Sequence, residues 1–334
     1  IIGSGFSSLS AACYLSKNNY DVSVFEKNKT LGGRASQFKA KGFTFDMGPS
    51  WYWMPDIFER FFNDFGKTRS DFYTIKKLDP GYRVVFDKKN QIQIGDDIEK
   101  IAKEFEKIEK GSGKKLKNFI KKAKNNYELA VTNMLYKMPG KSILELINID
   151  TIFKVNLFFK NIKNDVEKIF KDQRLRSILQ FPVLFLGAKP SNTPAFYNFM
   201  NYADFGLGTW QPKNGFYDVV KAMVDIGKDQ GVKFYTNCDV QKIKVLDSEI
   251  DGIVINGDYK KCDILISGAD YQHTESLLEK KHRQYSTNYW ENRTWSPSSL
   301  LFYLGLNTKL KNLDHHNLFF DTDFNKHADE IYTN

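Results

Sequence analysis

A glycine turn near the start of the chain is followed, about twenty residues later, by an acidic side chain. Gly3 and Gly5 lie on either side of one residue, Ser8 supplies a third small position, and Glu26 ends the strand predicted over 21–25. Such a turn lets a strand pass tightly into a helix whose N-terminus faces a pyrophosphate. A carboxylate at the end of the second strand suits a ribose hydroxyl pair. The pattern therefore predicts a site for an adenine dinucleotide, and the alternative is a glycine-rich turn in an ordinary βαβ unit.

A second glycine loop follows Glu26 and narrows the choice of dinucleotide. Gly32 and Gly33 give the backbone room to approach a ligand, and Arg34 can meet a phosphate with its two-pronged guanidinium. The alternative is a surface turn that ends in a solvated arginine. Flavoproteins of the amine-oxidase kind carry such a loop, and nicotinamide dehydrogenases usually do not. The loop therefore favours FAD.

Further segments give the chain a resemblance to a known family. Residues 43–51 indicate a strand, a sharp bend at Gly48 and Pro49, and an aromatic cluster. Residues 210–216, 264–270 and 315–320 add a Trp-x-Pro turn, a returning strand and a His-His stretch. In order and spacing the whole set resembles the carotenoid desaturases of the phytoene desaturase family, over nearly all 334 residues. Asn214 stands where that family has a glycine, and Ser8 stands where the dinucleotide fingerprint has its third glycine.

The resemblance implies an α/β fold with three parts. These are an FAD-binding Rossmann-like domain (doubly wound, GR2-type flavoprotein), an α+β substrate domain interleaved with it, and a helical insertion. We expect the first over 1–75 and 210–272, the second over 76–95 and 273–334, and the third over 96–209 as a candidate membrane-facing lid. Cofactor contacts are expected from Gly3, Gly5, Ser8, Glu26, Lys27, Gly32, Gly33, Arg34, Gly48, Pro49, Ser50, Val240 and Ala269.

The implied activity is desaturation of a phytoene-type carotene in carotenoid biosynthesis, with hydride transfer from carbon to flavin. The terminal electron acceptor, oxygen or a quinone, stays open. Asp204, His315 and His316 are polar groups of the substrate-domain segments, but a structural role is the simpler interpretation, and no catalytic base is assigned. Alternatives on the same scaffold are a carotenoid isomerase, a later-step carotenoid desaturase or oxidase, a non-catalytic prenyl-binding escort protein and an amine oxidase.

The net charge of +9 is concentrated in one segment, since residues 100–124 hold ten lysines and three glutamates. An amphipathic helix is predicted from residue 98, with a break at 111–113. Its lysines form either a solvated face or a surface for an anionic bilayer. The apolar stretch 143–159 is a second candidate for bilayer contact, with core packing as its alternative. No aromatic residues alternate with the lysines, which argues against nucleic acid as a partner.

Several smaller expectations follow from the sequence. No apolar run is long enough to span a bilayer, so we expect a cytoplasmic, peripherally membrane-associated protein. Three widely spaced cysteines indicate a reducing compartment and, together with the histidine spacing, no metal site. Because two adjacent strand residues face opposite ways, one of His315 and His316 should be buried and the other solvated. Only two residues precede the glycine turn, and no C-terminal flavin segment is recognised, so we expect a fragment.

Local patterns also predict individual elements. Alternation over 82–94 indicates a hairpin, and residues 216–226 have helical spacing. Residues 232–235 are expected to form a strand, and 240–245 should pair with 250–255 as an antiparallel ladder. A buried strand is expected over 264–267, and alternation over 300–304 is assigned to the substrate domain.

Overall fold

A computed structural model describes residues 1–137 and 155–333 of the chain. The chain divides into two compact units. The first unit consists of Ile1–Tyr52, Asp56–Ile75 and Gln211–Thr294, and the second of Trp53–Pro55, Lys76–Trp210 and Trp295–Asn334. Residues 273–294 thus fall in the first unit, while 76–95 falls in the second together with the described part of 96–209. The three functional domains assigned from the sequence stay predictions.

The described residues contain twelve strands and thirteen α-helices. The strands are β1 (Ser23–Phe25), β2 (Ser36–Ala40), β3 (Phe43–Met47), β4 (Ile75–Lys77), β5 (Tyr82–Val85), β6 (Gln91–Ile94), β7 (Trp210–Pro212), β8 (Lys233–Tyr235), β9 (Val240–Leu246), β10 (Glu249–Ile255), β11 (Asp258–Lys261) and β12 (Asn317–Phe319). The α-helices are α1 (Phe6–Lys17), α2 (Pro55–Asp64), α3 (Ile98–Ile108), α4 (Ser112–Tyr127), α5 (Leu135–Lys137), α6 (Val155–Phe159), α7 (Ile162–Ile169), α8 (Gln173–Gln180), α9 (Phe199–Asn201), α10 (Tyr217–Asp229), α11 (Tyr271–Ser276), α12 (Thr287–Glu291) and α13 (Phe324–Thr333).

Short 3₁₀ and π-helical segments complete this inventory. The 3₁₀ turns are Gly33–Ala35, Arg69–Asp71, Phe181–Leu186, Ala195–Asn198 and Lys280–His282, and the π-helical segments are Glu128–Met134 and Tyr202–Gly206.

A small parallel sheet forms the centre of the first unit. β1 pairs in parallel with β8, and Ile2 bridges in parallel to Phe25 on one side and to Ser267 on the other. Val24 in β1 and Val22 just before it are buried in one cluster with Ala12 of α1. Burial of this kind is typical of a parallel sheet, whose faces are covered by helices. α1 also packs on α10, where the Cys13 thiol donates to the Met223 carbonyl at 3.5 Å. The strands predicted over 21–25 and 232–235 and the helix over 216–226 are confirmed.

The predicted buried strand over 264–267 is wrong. Ile2 donates its N–H to the Ile266 carbonyl at 2.9 Å and accepts from the Gly268 N–H at 3.0 Å. This pairing involves a single position, so no ladder extends along the segment, and Ile264 remains 58% exposed. An apolar run alone does not distinguish a buried strand from a partly exposed connection.

Antiparallel pairing accounts for the other predicted sheets. β9, β10 and β11 form a meander, and β2 pairs with β3 as a hairpin in the first unit. Val240 and Ile243 at the start of β9 join a core cluster with Ile2 and Phe25. The beginning of β9 is therefore packed against the strands that carry the glycine turn. The predicted pairing of 240–245 with 250–255 is confirmed.

The second unit contains a three-stranded sheet and a set of packed helices. β5 pairs antiparallel with β6, as the predicted hairpin requires, and parallel with β12. Asp97 caps α3 by accepting from the Glu99 and Lys100 N–H groups. α4 begins at Ser112, which confirms the predicted helix break. Over 300–304 no strand forms among the described residues, and Leu300 is 81% exposed, so that alternating pattern does not produce a ladder here.

A long-range turn contact links two of the resembling segments within the first unit. Asp46 at the end of β3 accepts the Phe216 N–H at 2.5 Å and the Gln37 amide at 3.1 Å. Its carboxylate lies at the N-terminal end of α10, where a negative charge is favoured by the helix dipole. Gly215 has φ +101, and a Cβ there would lie 2.5 Å from the Asp46 Oδ2.

This contact predicts a specific cost for a methyl group at residue 215. Gly257 has a similar φ of +94, but a Cβ at that position would meet nothing within 4 Å. We expect Gly215→Ala to lower the free energy of unfolding by about 1.5–3 kcal/mol more than Gly257→Ala, because it also breaks a hydrogen bond to a charged group. Urea titration measures both values. Equal destabilisation by the two variants would show that Asp46 does not hold this turn.

Candidate functional site

A cavity of about 800 Å³ opens at the glycine turn of the first unit. Ligand pockets commonly have volumes of this order. Segments distant in sequence meet around it because parallel strands end at the same edge of a sheet. The cavity is lined by Ile2, Gly3, Ser4, Gly5, Phe6, Ser7, Phe25, Glu26, Lys27, Asn28, Gly32, Gly33, Arg34, Ala35, Pro49, Cys238, Asp239, Val240, Gly268, Ala269, Asp270 and His273.

The glycine turn presents backbone donors to this cavity. Gly3 has φ +82, a conformation that favours glycine, and Gly5 is the N-cap of α1 without any side-chain cap. No acidic residue lies in the first turn of α1. Within the described chain, the N–H groups of Gly5, Phe6 and Ser7 have no hydrogen-bond partner. An uncapped helix end of this kind is suited to an anionic group such as a pyrophosphate.

The second glycine loop lies directly against the first. Gly33 has φ +57, and a Cβ at this residue would lie 3.2 Å from the Gly5 Cα. A side chain here would therefore push the two loops apart. Gly32 has φ +114, and its N–H donates to the Ser4 carbonyl at 3.1 Å. Backbone conformation thus favours glycine at Gly3, Gly32 and Gly33, and the close approach of Gly33 to the Gly5 Cα adds a second requirement at Gly33.

Glu26 is the buried polar centre of the site, with only 4% of its surface exposed. Its Oε2 accepts from the Ser4 N–H at 3.0 Å and from the Ser4 hydroxyl at 2.6 Å. Its Oε1 accepts from the Asn28 N–H at 3.0 Å and from the Asn28 side-chain amide at 2.7 Å. The Ser4 hydroxyl also accepts the Gly32 N–H at 3.1 Å, so one carboxylate ties the glycine turn, the end of β1 and the second loop together.

Charged groups border the cavity on its exposed side. Lys27, Arg34 and His273 line it and are solvent-exposed, and none of them has a carboxylate partner within 4.0 Å in the described part of the chain. Asp239 and Asp270 line it as well, and Asp270 caps α11 through the His273 N–H at 3.3 Å. The free side chains of Lys27 and Arg34 add to the attraction that α1 offers to a phosphate group.

The predicted cofactor residues divide into two groups. Most of them line the cavity: Gly3, Gly5, Glu26, Lys27, Gly32, Gly33, Arg34, Pro49, Val240 and Ala269. Ser8, Gly48 and Ser50 do not. Ser8 is buried behind the turn, where a Cβ on Gly268 would overlap its hydroxyl. Gly48 has φ +113, and a Cβ there would lie 2.5 Å from the Arg34 carbonyl oxygen, which indicates a packing requirement.

Several residues around the cavity were missed from the sequence. Ser4 occupies the free position between the two glycines, and Asn28 follows Glu26 by two residues. The only signal for Ser4 in the sequence was its place in the glycine turn, from which a side chain can face back toward the end of the strand. Cys238 and Asp239 adjoin the predicted Val240. Gly268, Asp270 and His273 come from a segment in which only Ala269 was chosen.

The polar groups considered as bases lie in the second unit. Asp204 is buried and accepts the Tyr82 hydroxyl at 2.6 Å, and burial raises the pKa of its carboxyl to about 7. His316 is 8% exposed, with Nδ1 3.3 Å from the Gly81 carbonyl, whereas His315 is exposed. The prediction of one buried and one solvated histidine is confirmed. Asp204 and His316 both contact the start of β5, which gives each of them a structural role.

The donor set fits an adenine dinucleotide. Backbone N–H groups and free cations suit the pyrophosphate, and a buried carboxylate beside them suits ribose hydroxyls. The start of β9, with Val240 in the core and Cys238 and Asp239 on the cavity wall, offers a further wall for the nucleotide. These residues are suited to binding and orienting such a cofactor, which would supply the chemistry of the reaction.

Comparison with known proteins is consistent with this geometry. The family model described as flavin containing amine oxidoreductase matches residues 6–327. The carotenoid 3,4-desaturase of Haloarcula japonica is 38% identical over 336 residues, which cover 99% of this chain and 68% of that protein. The 4,4'-diapophytoene desaturase of Staphylococcus haemolyticus is 30% identical over 342 residues, or 100% of this chain and 68% of the relative. The zeta-carotene-forming phytoene desaturase of Myxococcus xanthus is 28% identical over 336 residues, or 99% and 64%.

Solved structures share the fold at low sequence identity. An oxidoreductase from Methanosarcina mazei has a TM-score of 0.55 and 20% identity, covering 83% of this chain and 60% of that one. A fatty acid isomerase from P. acnes has a TM-score of 0.56 and 16% identity, covering 85% and 62%. The chain thus spans about two thirds of the first two relatives and less of these structures.

These findings confirm the main sequence predictions. The α/β Rossmann-type flavoprotein fold, FAD as cofactor, and the likeness to carotenoid desaturases are all supported by the family match and the named relatives. The prediction of an FAD-dependent oxidoreductase is confirmed as well. With 322 of its residues matched by one family model (6–327), the chain belongs to the flavin containing amine oxidoreductases.

Proposed function

We propose that the full-length protein is an FAD-dependent desaturase that removes hydride from a carotene of the phytoene type. The observation that carries this proposal is the meeting of an uncapped helix N-terminus and a buried carboxylate in one cavity of a chain 38% identical to a carotenoid desaturase. FAD, when bound, would supply the acceptor for the hydride, and the new double bond also requires the adjacent carbon to lose a proton, for which no base is assigned. The chain's residues bind and orient that cofactor.

Each element of the cavity has a role in this proposal. The N–H groups at the start of α1, with Arg34 and Lys27, hold the pyrophosphate, and Glu26 accepts from ribose hydroxyls. Gly32 and Gly33 let the backbone approach the cofactor. Gly48, Pro49 and Ser50 are proposed near it as well, with Gly48 holding the second loop in place through its packing on Arg34. The second unit is proposed to bind the substrate.

A carotene offers no polar handle, so its binding free energy must come from buried apolar surface, at about 25 cal/mol per Å². The relatives suggest two classes of substrate, a phytoene-type precursor and a carotenoid that already carries more double bonds. The phytoene and diapophytoene desaturases are 28–30% identical, whereas the carotenoid 3,4-desaturase is 38% identical. The higher identity favours 3,4-desaturation of a carotenoid as a second candidate activity.

Product analysis tests the proposal and separates these candidates. The full-length protein is produced in one host that accumulates phytoene and in another that accumulates its fully desaturated product. We expect new double bonds in at least one host, and expect Glu26→Ala to abolish them by weakening FAD binding by about 1.5–3 kcal/mol through lost ribose hydrogen bonds. Glu249→Ala, at an exposed carboxylate of the same unit, is the control. Flavin-loaded protein that forms no new double bond in either host contradicts the proposal.

We also propose that the protein docks on membranes through α4. Leu116, Phe119, Ile120 and Ala123 bury one face of this helix in the core, so it has no free apolar face to insert. On the other face Lys114, Lys121 and Lys122 are exposed and have no carboxylate partner among the described residues. Attraction to anionic lipid is worth about 1 kcal/mol per lysine near the surface. The alternative surface, 143–159, lies mostly outside the described residues.

No helix of the described chain, 1–137 and 155–333, combines the length and apolar character needed to cross a bilayer. Docking would therefore rest on the basic face of α4. We expect the triple variant Lys114→Glu, Lys121→Glu, Lys122→Glu to reduce binding to anionic vesicles at least 10-fold, as measured by flotation at low salt. A matched triple variant at the exposed Lys29, Lys228 and Lys261 of the first unit should retain binding. Equal binding of the vesicles by both variants would mean that the lysines of α4 form only a solvated face.

A further inference from the structure

Glu26 has no free acceptor site in this structure. A carboxylate offers about four lone-pair sites. All four are taken, since Ser4 and Asn28 each donate a backbone N–H and a side-chain group at 2.6–3.0 Å. A ribose hydroxyl that donates to Glu26 must therefore replace one of these four donors. The question is which of them can leave.

Three of the four donors are fixed. The Ser4 N–H belongs to the glycine turn, and the Ser4 hydroxyl is buried and also accepts the Gly32 N–H at 3.1 Å. The backbone of Asn28 is held by its carbonyl, which accepts the Asn237 N–H at 3.0 Å. The neighbouring Glu26 carbonyl accepts the Cys238 N–H at 2.9 Å, so the end of β1 is held on both sides of residue 27.

The fourth donor, the Asn28 side-chain amide, is different. Asn28 is solvent-exposed and lines the cavity, and its Nδ2 donates to Glu26 Oε1 at 2.7 Å. Rotation about its side-chain bonds removes this donor without moving any backbone atom. An amide donor of this kind also gives a buried carboxylate a partner, which matters because an unpaired buried charge is costly.

We propose that Asn28 is a latch on the ribose site. Its amide occupies the acceptor position of Glu26 that a ribose hydroxyl takes, and it rotates away when a ligand with a ribose diol binds. Asn28 is thus a positioning residue that competes with the ligand for Glu26. When no ligand is bound, its amide stabilises the buried carboxylate. This inference rests on the proposed FAD site and adds to it a residue that sets the affinity for the nucleotide half.

Binding measurements on Asn28→Ala test the latch. Removing a competing hydrogen bond to a charged group should tighten binding of FAD and ADP at least about 10-fold in calorimetry, since such net bonds contribute about 1.5–3 kcal/mol. Binding of 2′,3′-dideoxy-ADP, which lacks both hydroxyls, should be unchanged. Lys29→Ala, at an exposed neighbour outside the cavity lining, is the matched control. The ligand-free variant should also melt at a lower temperature than the unmodified protein.

Other outcomes overturn the latch. Weaker binding of FAD and ADP by Asn28→Ala would make Asn28 a direct ligand of the nucleotide. Unchanged binding, or the same gain for dideoxy-ADP, would remove the competition for Glu26. Failure of the cofactor site itself gives a separate result, because the unmodified full-length protein would then bind neither FAD nor ADP.

Discussion

The buried carboxylate of Glu26 is the interaction on which the site depends. It receives donors from Ser4 in the glycine turn and from Asn28 beyond β1, and through the Ser4 hydroxyl it is connected to Gly32. A charge that is only 4% exposed must be paired to be tolerated, so these hydrogen bonds determine where three chain segments meet. The cavity exists because those segments meet there, with the end of α1 left uncapped beside them.

A second constraint of the same kind acts at a greater sequence distance. Asp46 reaches the turn before α10, 170 residues further along the chain, and Gly215 is the residue that allows its approach. Two segments that resemble the same family are thus in direct contact in the first unit, and the Asp46 carboxylate at the start of α10 stabilises that helix end.

The residue types of the dinucleotide motif made its glycines and its carboxylate predictable from the sequence. The tertiary contacts around them could not be predicted from the motif. Gly3, Gly33 and Glu26 could be chosen because backbone conformation and ribose chemistry demand those residue types at that spacing. Ser4 and Asn28 occupy positions that the motif leaves free, so nothing in the pattern marked them. Ser8 was chosen for the cofactor, but it packs against Gly268 behind the turn. The prediction of a buried strand near Ile266 was wrong, because an apolar run does not reveal how many neighbouring strands its backbone pairs with.

Hydrogen–deuterium exchange of the full-length protein, with and without FAD, tests the central claim most directly. We expect slower exchange on FAD binding at the amides of residues 3–8, 26–34 and 238–240, because a cofactor in the cavity covers them and engages the free N–H groups of α1. The β5–β6 hairpin of the second unit, which contributes no residue to this cavity, serves as an internal reference. Unchanged exchange at residues 3–8 and 26–34 in the presence of saturating FAD would show that the cofactor does not bind in this cavity.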